Sequence, residues 1–384
     1  MTLRFPALLL FSALAACGGR TPMTDLTMPA GEDETTVTTS RSALRSPVVA
    51  IDTSGRRILA AIDTVARWPT FVESDGLEVP FPRLAGVEGE TTDLAMVAGP
   101  NGLVHAVWTT GRALYYGRLH PDGAGRSEAV RRLQDERASA PTLAVSDWGD
   151  VFIVFVDGHI SREPNIFVST YRGSVEQGFA GPMRVMPECC DTWTGDAWYA
   201  SIGTVRYDGG LVRFGYSWGD QGGGWSSYVE QGRGFYEYGR VESAGYADHA
   251  GAIMPPGLPG LLTLNLEQDR LQLTSFGRVP QPTTVLEAPG LGTTHVAQDE
   301  VGQKHVVVTE MSDERRDIHY LREYEAGRWS KHILVGAALD QTLELTPRAG
   351  GLVVTDTRVY VPYTVYDADR EPVSIAVADF RKAK

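Results

Sequence analysis

The sequence predicts an all-β fold built from one repeated unit, and three observations support this prediction. The first is composition, because 42 glycines and 22 prolines among 384 residues are typical of many short strands joined by tight turns. The second is a recurring pattern of an apolar strand, a polar turn and a second apolar strand. The third is spacing, since the turn glycines Gly55, Gly102 and Gly149 are twice separated by 47 residues.

The clearest copy of the unit covers residues 141–171. It contains three predicted strands, PTLAV at 141–145, VFIVFV at 151–156 and NIFVSTY at 165–171. The first turn is short and has Gly149 at its tightest point, as expected for a strand-to-strand hairpin. This copy is the template from which the others are recognised.

Seven copies of the strand pair can be recognised along the chain. They are 48–51 with 58–62, 94–97 with 103–108, 141–145 with 151–156, 202–206 with 211–218, 250–254 with 261–266, 296–298 with 305–309, and 352–355 with 359–366. About 49 residues for each copy suits a four-stranded propeller blade. We therefore predict a single closed β-propeller of seven four-stranded blades over residues 41–384. Six blades and an open solenoid are the alternatives.

The end of the chain predicts how the ring closes. The seventh copy leaves no room for a fourth strand before Lys384. Closed propellers avoid open sheet edges, so another segment should supply the missing strand. Residues 35–43, TTVTTSRSA, are rich in β-branched residues and directly precede the first copy. We predict that this segment pairs beside residues 373–380.

The first 17 residues predict a lipoprotein signal. Arg4 is followed by an apolar run, 5–13, that is too short to span a bilayer. The run ends at Leu14-Ala15-Ala16-Cys17, which resembles the lipobox of bacterial lipoprotein signals. This resemblance implies that Cys17 is lipidated, and the non-acidic Gly18 that follows implies the outer membrane. The alternative is an ordinary signal peptide with an incidental cysteine.

Residues 18–40 predict a flexible tether between this anchor and the folded domain. They lack aromatic residues and are rich in Thr, Gly, Pro and acids. Such a segment reaches roughly 25–30 Å. No later stretch is apolar for 18 residues, so no transmembrane helix is expected. We expect an exported, monomeric protein that is attached to the cell envelope by lipid.

The formal net charge of −13 bears on the possible partners. A nucleic-acid footprint needs a basic stripe, and the arginines are scattered instead. No Cys/His spacing suggests zinc, and no loop matches the EF-hand pattern. Neither G-x-S-x-G nor H-E-x-x-H occurs. The sequence therefore predicts no nucleic-acid partner, no metal, no cofactor and no assignable catalytic residue.

The remaining cysteines, Cys189 and Cys190, are adjacent. An exported chain sits in an oxidising compartment, so we expect a vicinal disulfide, with two buried free thiols as the alternative. The pair belongs to residues 187–198, PECCDTWTGDAW, a long connection between the third and fourth copies. It also carries Asp191, Asp196, Trp193 and Trp198. We predict an apolar platform for sugar rings here; the alternative is a plug that packs in the channel.

Other polar residues are predicted on the propeller face that usually binds ligands. That face is formed by the connections into the first strand of each blade and by those between the second and third strands. The candidates are His159, Arg162, Glu163, Asp220, Trp225, Asp248, His249, His295, Arg315, Arg316, Asp367 and Arg370. Asp248, His249 and His295 precede predicted strands at the channel mouth, so we expect them to converge.

The repeat resembles the sialidase-like, or BNR-repeat, propellers of exported bacterial proteins. The resemblance rests on the strand pairs containing 104–108 and 151–156, and on the third strands Leu114-Tyr115-Tyr116 and Ile318-His319-Tyr320. The cysteine pair just before a blade is similar to that group as well. The resulting expectation is an envelope propeller that binds a glycan or a protein partner without catalysis. The alternative is a polysaccharide-active enzyme, a glycoside hydrolase or lyase, with its site at the channel mouth.

Overall fold

The computed structural model describes residues 34–37 and 43–382. Within the second range it leaves out residues 74–76, 101, 121–126, 136, 158–166, 186–198, 209–210, 220–223, 232–233, 243–246, 254–259, 266–268, 276–280, 315 and 326. Every regular element among the described residues is a β-strand, so the predicted all-β class is confirmed. No helix in this part of the chain has the length and apolar character needed to cross a membrane.

The first half of the described chain forms a short strand and three sheets. The strand is β1 (Glu34–Val37). Sheet 1 contains β2 (Leu44–Ile51), β3 (Arg57–Asp63), β4 (Trp68–Val72) and β5 (Glu78–Pro80). Sheet 2 contains β6 (Thr91–Ala98), β7 (Val104–Thr110), β8 (Ala113–Leu119) and β9 (Ser127–Gln134). Sheet 3 contains β10 (Ala138–Val145), β11 (Val151–Asp157), β12 (Phe167–Ser174) and β13 (Gly178–Val185).

The second half forms four further sheets. Sheet 4 contains β14 (Tyr199–Asp208), β15 (Leu211–Gly219), β16 (Gly224–Gln231) and β17 (Gly234–Glu242). Sheet 5 contains β18 (Ala247–Ile253), β19 (Gly260–Asn265), β20 (Arg270–Ser275) and β21 (Gln281–Glu287). Sheet 6 contains β22 (Leu291–Gln298), β23 (Lys304–Met311), β24 (Arg316–Glu325) and β25 (Arg328–Gly336). Sheet 7 contains β26 (Thr342–Leu345), β27 (Val353–Val354), β28 (Arg358–Tyr366) and β29 (Pro372–Arg381).

Sheets 1 to 6 are antiparallel meanders in which the strand order follows the chain. The first strands of successive sheets are neighbours from β2 through β6, β10, β14, β18 and β22 to β26, and β27 and β28 lie against β2. Apolar and aromatic side chains pack between adjacent sheets. Between sheets 1 and 2, for example, the rings of Trp68 and Trp108 meet edge to face with centroids 5.9 Å apart.

In sheets 1, 2, 3 and 6, the turns between first and second strands share one geometry. In each, the amide of Gly55, Gly102, Gly149 or Gly302 donates to the carbonyl oxygen three residues earlier, at 2.9–3.2 Å. These four glycines have φ between 69° and 84°, a region that side chains disfavour. The equal glycine spacing in the sequence therefore reflects one repeated turn. We call the side of the molecule formed by these turns and by those between third and fourth strands the turn face, and the opposite side the mouth face.

Strand β1 pairs with the last strand of the chain. Residues 34–37 lie antiparallel to β29, with Thr35 opposite Val377 and Val37 opposite Ile375. The predicted pairing of this segment is thus confirmed for residues 35–37. Strand β1 lies within residues 18–40, which the sequence assigned to the tether. The predicted closing segment, residues 35–43, overlaps the end of that range.

Sheet 7 is also joined to sheet 1. The amide of Ser46 donates to Thr364 Oγ1 at 3.1 Å. Asp379 in β29 lies 3.7 Å from a guanidinium nitrogen of Arg57 in β3 and also accepts a hydrogen bond from Arg358. The first and last sheets therefore share polar contacts as well as an apolar interface.

Candidate functional site

The first strand of sheet 7 is interrupted by an insertion. Leu345 pairs with Tyr363 and Val353 pairs with Tyr360, so residues 346–352 stand opposite only two residues of β28. We call residues 346–352, TPRAGGL, the plug. The sequence pattern did not predict β26, because it placed the first strand of the seventh copy at residues 352–355.

The plug crosses the space between the first strands of several sheets. Three of its main-chain oxygens accept hydrogen bonds. Gly350 O accepts from Val49 N (2.8 Å), Ala349 O from Met96 N (2.9 Å) and Arg348 O from His295 Nε2 (2.7 Å). The amide of Ala349 donates to Thr142 Oγ1 at 3.2 Å. The plug therefore contacts the first strands of sheets 1, 2, 3 and 6 and fills the space between them.

Two glycines allow this close approach. Gly350 has φ +92°, and a Cβ there would lie 2.9 Å from the Met96 carbonyl oxygen. A Cβ on Gly351 would lie 1.7 Å from the carbonyl oxygen of Thr346. A side chain at either position would force backbone to move, so the sharp bend of the plug depends on glycine.

On the mouth side, the plug presents the side chain of Arg348. This side chain is only 12% exposed, and a guanidinium nitrogen lies 3.7 Å from Asp93 Oδ1 in β6. Burial lowers the pKa of the Arg348 guanidinium, and the Asp93 carboxylate opposes that shift. Asp93 is held by a hydrogen bond from Thr109 Oγ1 at 3.1 Å. An arginine and a carboxylate are thus fixed side by side above the plug.

A second arginine lies at the start of sheet 1. Arg45 donates to Glu90 Oε1 at 2.8 Å and to the carbonyl oxygen of Thr91 at 3.2 Å. Its side chain is 29% exposed and that of Glu90 is 50% exposed. Arg45 is therefore oriented by its neighbours while part of its guanidinium still faces solvent.

Tyr366, at the end of β28, completes the group. Its hydroxyl lies close enough to the Glu344 carboxylate and to the Thr364 hydroxyl for both to act on its pKa. Burial raises the pKa of Tyr366, the Glu344 carboxylate raises it further, and the charge of Arg45 opposes the shift. The phenol therefore stays protonated at neutral pH and acts as a hydrogen-bond donor.

We call Arg45, Asp93, Glu344, Arg348 and Tyr366 the mouth cluster. The five residues come from the neighbouring sheets 7, 1 and 2 and lie where the plugged channel opens. Two guanidiniums, two carboxylates and a phenol offer donors and acceptors on this side of the plug, which is a usual composition of a polar ligand site.

An apolar cavity of about 320 Å³ lies on the other side of the plug. Its walls include Met96, Leu143 and Leu352, and its polar side chains are His295 and Gln298. Because few polar groups converge there, this cavity is a weaker candidate than the mouth cluster. No group of three metal-ligating side chains is found among the residues that the structure describes.

His295 does not lie at an open channel mouth. It is 6% exposed within β22, and its ring donates to the plug, so it supports the plug. Asp248 and His249 lie inside β18, and Trp225 lies inside β16. The sequence placed Asp248, His249 and His295 just before strands, whereas in the structure each of the three lies within a strand. The side chains of Asp248, His249 and Trp225 are outside the described part of the chain.

The other predicted site residues do not join the mouth cluster in the described structure. Arg316 begins β24 in sheet 6. Asp367 accepts bonds from the amides of Asp369 and Glu371 and so holds the turn that contains Arg370. The predicted residues that lie outside the described range are Cys17, His159, Arg162, Glu163, Cys189, Cys190, Asp191, Trp193, Asp196, Trp198, Asp220 and Arg315.

Sequence reasoning missed all five residues of the mouth cluster. A usable signal existed for Arg45 and Asp93, because Asp93 directly precedes the apolar strand of its copy and Arg45 lies three residues before its own. The Gly350-Gly351 pair beside Arg348 was a second signal, since adjacent glycines mark close backbone approach. No spacing rule connects these positions with Glu344 and Tyr366.

Comparison with protein-family models gives no match, and comparison with curated proteins gives none either. Several solved structures are similar in fold. The alpha-L-arabinanase of Penicillium chrysogenum, solved with arabinobiose, has a TM-score of 0.50 and 8% identity over 91% of this chain and 99% of that chain. Polysaccharide lyase Uly1 has a TM-score of 0.51 and 12% identity over 91% of this chain and 100% of that chain.

BBS1N, solved in complex with ARL6DN, has a TM-score of 0.51 and 8% identity over 92% of this chain and 97% of that chain. At such low identities these similarities concern the fold alone. They support the propeller type of architecture that the repeated four-stranded sheets indicate.

Proposed function

We propose that this protein is a lipid-anchored β-propeller of the bacterial cell envelope that binds a glycan at the mouth cluster. The convergence of Arg45, Arg348, Asp93, Glu344 and Tyr366 above the plug is the observation that carries the proposal. Sugar hydroxyls both donate and accept hydrogen bonds, so they match a site with fixed groups of both kinds. The arginines add planar donors for an acidic sugar.

The proposed propeller is closed and has seven blades. The seven sheets would be the blades, and β1 would be the fourth strand of the last one. The pairing of β1 with β29, together with the contacts between sheets 7 and 1, supports this closure. A closed ring is expected physically, because it shields the edges of the sheets from pairing with another chain.

Binding without catalysis is favoured by the state of Tyr366. A tyrosine that attacks or abstracts a proton must lose its own proton, and the raised pKa of Tyr366 opposes that loss. A protonated phenol directs its single O–H towards the neighbouring carboxylate, and its oxygen can still accept a hydrogen bond from a sugar hydroxyl.

The second candidate function is a polysaccharide-active enzyme, and one observation favours it. The Glu344 carboxylate lies beside the Tyr366 phenol and acts on its pKa, and a tyrosine with a neighbouring glutamate is the residue pair that sialidases use as nucleophile and base. In such a reaction Glu344 would accept the phenol proton as Tyr366 attacks. Product analysis separates this candidate from simple binding.

The test of the site is glycan-array binding by the purified protein and its variants. We expect a retained glycan whose binding falls at least tenfold in Arg45→Gln and in Tyr366→Phe. Tyr324→Phe is the matched control, because Tyr324 is 38% exposed at the end of β24 on the turn face. Equal binding by Tyr366→Phe, Arg45→Gln and the wild type would contradict the assignment.

Mass spectrometry of the bound glycan then decides between the two functions. An unchanged glycan after prolonged incubation supports binding alone. Cleavage that Tyr366→Phe abolishes would support the enzyme. No retained and no cleaved glycan would leave an envelope protein as the partner.

The anchor and the second surface are tested separately. Cys17→Ala should release the protein from the membrane fraction, and unchanged fractionation would refute the lipid anchor. The platform around Trp193 and Trp198, with a Cys189–Cys190 disulfide, stays a prediction. Peptide mass spectrometry with and without reduction measures that disulfide.

A further inference from the structure

The turn face carries two large apolar side chains at equivalent tips. Trp148 and Val301 each directly precede the glycine of a repeated turn, in sheets 3 and 6. Trp148 is 90% exposed and Val301 is 76% exposed. The turn glycines have φ of 84° and 83°, and each turn is closed by backbone hydrogen bonds, so both side chains project from rigid supports.

The N-terminal part of the chain reaches the fold from the same side. Strand β1 runs antiparallel to β29, with Glu34 opposite Ala378 and Val37 opposite Ile375. The end of β29 at Arg381 pairs with Arg358, directly after the turn that joins β27 to β28, and therefore lies at the turn face. The start of β1 at Glu34 is thus the end of that strand nearer the turn face.

From these two observations we propose that the turn face rests on the lipid bilayer, with Trp148 and Val301 at the membrane interface. This inference rests on the proposed anchor at Cys17, which lies 17 residues before Glu34. An anchored chain that enters from one side favours that side as the membrane-facing one. Tryptophan is the side chain that interfaces retain best, because its ring is apolar and its N–H needs a polar partner.

The occupant is a zwitterionic lipid surface. Asp147 and Glu300 are exposed beside the two tips, and the chain carries a net charge of −13, so an anionic surface would be repelled. With the turn face on the bilayer, the mouth cluster points away from the membrane. An anchored receptor needs this orientation to meet a glycan in the surrounding space.

The experiment uses the full-length, lipidated protein in phosphatidylcholine vesicles that contain a lipid with a nitroxide near its headgroup. In a Trp148→Phe background, tryptophan is placed either at the turn face, by Val301→Trp, or at the mouth face, by Val65→Trp. Val65 is the matched control because it is also 76% exposed, in the turn between β3 and β4. Nitroxide quenches only tryptophan that approaches the lipid.

We expect loss of emission for Val301→Trp, no loss for Val65→Trp, and a quenched component in the wild type that disappears in Trp148→Phe. Quenching of Val65→Trp, or equal quenching of the wild type and Trp148→Phe, overturns the orientation. The acylation of Cys17 is checked by mass spectrometry of the N-terminal peptide. An unmodified Cys17 overturns the anchor and this inference with it, whereas acylated protein with a quenched Val65→Trp overturns this inference alone.

Discussion

Two buried histidines occupy equivalent positions in sheets 2 and 6. His105 and His305 each lie three residues after a turn glycine, and each places Nδ1 within 2.8 Å of a tyrosine hydroxyl, that of Tyr116 or Tyr320. Burial is the main cause that lowers the pKa of each imidazole to about 4. Sheet 3 has Phe152 at the same position, which shows that the core itself accepts an apolar ring.

These histidines predict acid sensitivity. The pKa of His105 is about 4 in the folded protein and 6.5 as a model value, so the unfolded chain binds the proton first. Stability from this group is complete above pH 6.5 and falls as the pH drops towards 4. One such histidine contributes about 3 kcal/mol to this loss. We expect the free energy of unfolding, measured in urea, to decrease over that range.

The double variant His105→Phe with Tyr116→Phe checks the assignment. It removes the imidazole and its hydroxyl partner together, so neither is left without the other. The acid loss between pH 6.5 and 4 should shrink, and the remainder should come from groups such as His305 and His319, whose pKa values burial also lowers. His120→Gln, just after β8, should retain the wild-type dependence. An unchanged slope in the double variant would assign the acid sensitivity to other groups.

At the level of single elements, the plug is the part that departs from the repeat. Other sheets accommodate at most a short bulge in the first strand, as between Arg45 and Val48 in β2. In sheet 7, seven residues stand opposite two. This local interruption turns an ordinary strand into a segment that blocks the channel and carries Arg348 to the mouth.

The plug predicts different costs for two glycine substitutions. Gly351→Ala forces a Cβ to within 1.7 Å of the Thr346 carbonyl oxygen, so the backbone must move. We expect a loss of about 3 kcal/mol or more in the free energy of unfolding. Gly149→Ala, the control, has φ +84° but open space around its Cβ, and should cost about 1 kcal/mol. Equal urea midpoints for the two variants would contradict the tight packing of the plug.

For the whole molecule, the pairing of the first described strand with the last one is the contact on which the proposed closure of the propeller depends. Glu34–Val37 contributes only four residues, but each lies between 338 and 344 positions before its partner in β29. Such a contact joins both ends of the described chain. Its loss would leave an edge of β29 uncovered.

A proline at one of two adjacent positions tests this pairing. The backbone amides of Thr35 and Thr36 point to opposite sides of β1, so only one of them donates to β29. The proline that removes that bond should lower the free energy of unfolding by about 1–3 kcal/mol and speed hydrogen exchange in β29. The other proline serves as its control. Two silent variants would show that β1 adds nothing to closure.

The repeat could be predicted because local chemistry imposes it. A turn glycine such as Gly149 needs a positive φ, and the strands around it need buried apolar side chains. Both requirements are visible within about ten residues of sequence. The pairing of residues 35–37 with β29 could be predicted for a similar reason, because β-branched residues and the need to cover an open edge point to the same segment.

The mouth cluster could not be predicted in this way. Arg45, Asp93 and Tyr366 are far apart in the chain, and each alone reads as a polar residue at the end of a strand. His295 was expected at the open mouth, and it lies beneath the plug because Arg348 offers its carbonyl oxygen there. Such contacts depend on how separate sheets are placed around the channel.

The sequence by itself determined the all-β class, the repeated unit and the strand that pairs with the end of the chain. It did so because φ preferences, apolar periodicity and β-branched composition act over short stretches. The tertiary structure alone decided that residues 346–352 fill the channel and that Arg348 meets Asp93 above it. Those contacts join sheets that are distant in the chain, and no local preference encodes the distance between them.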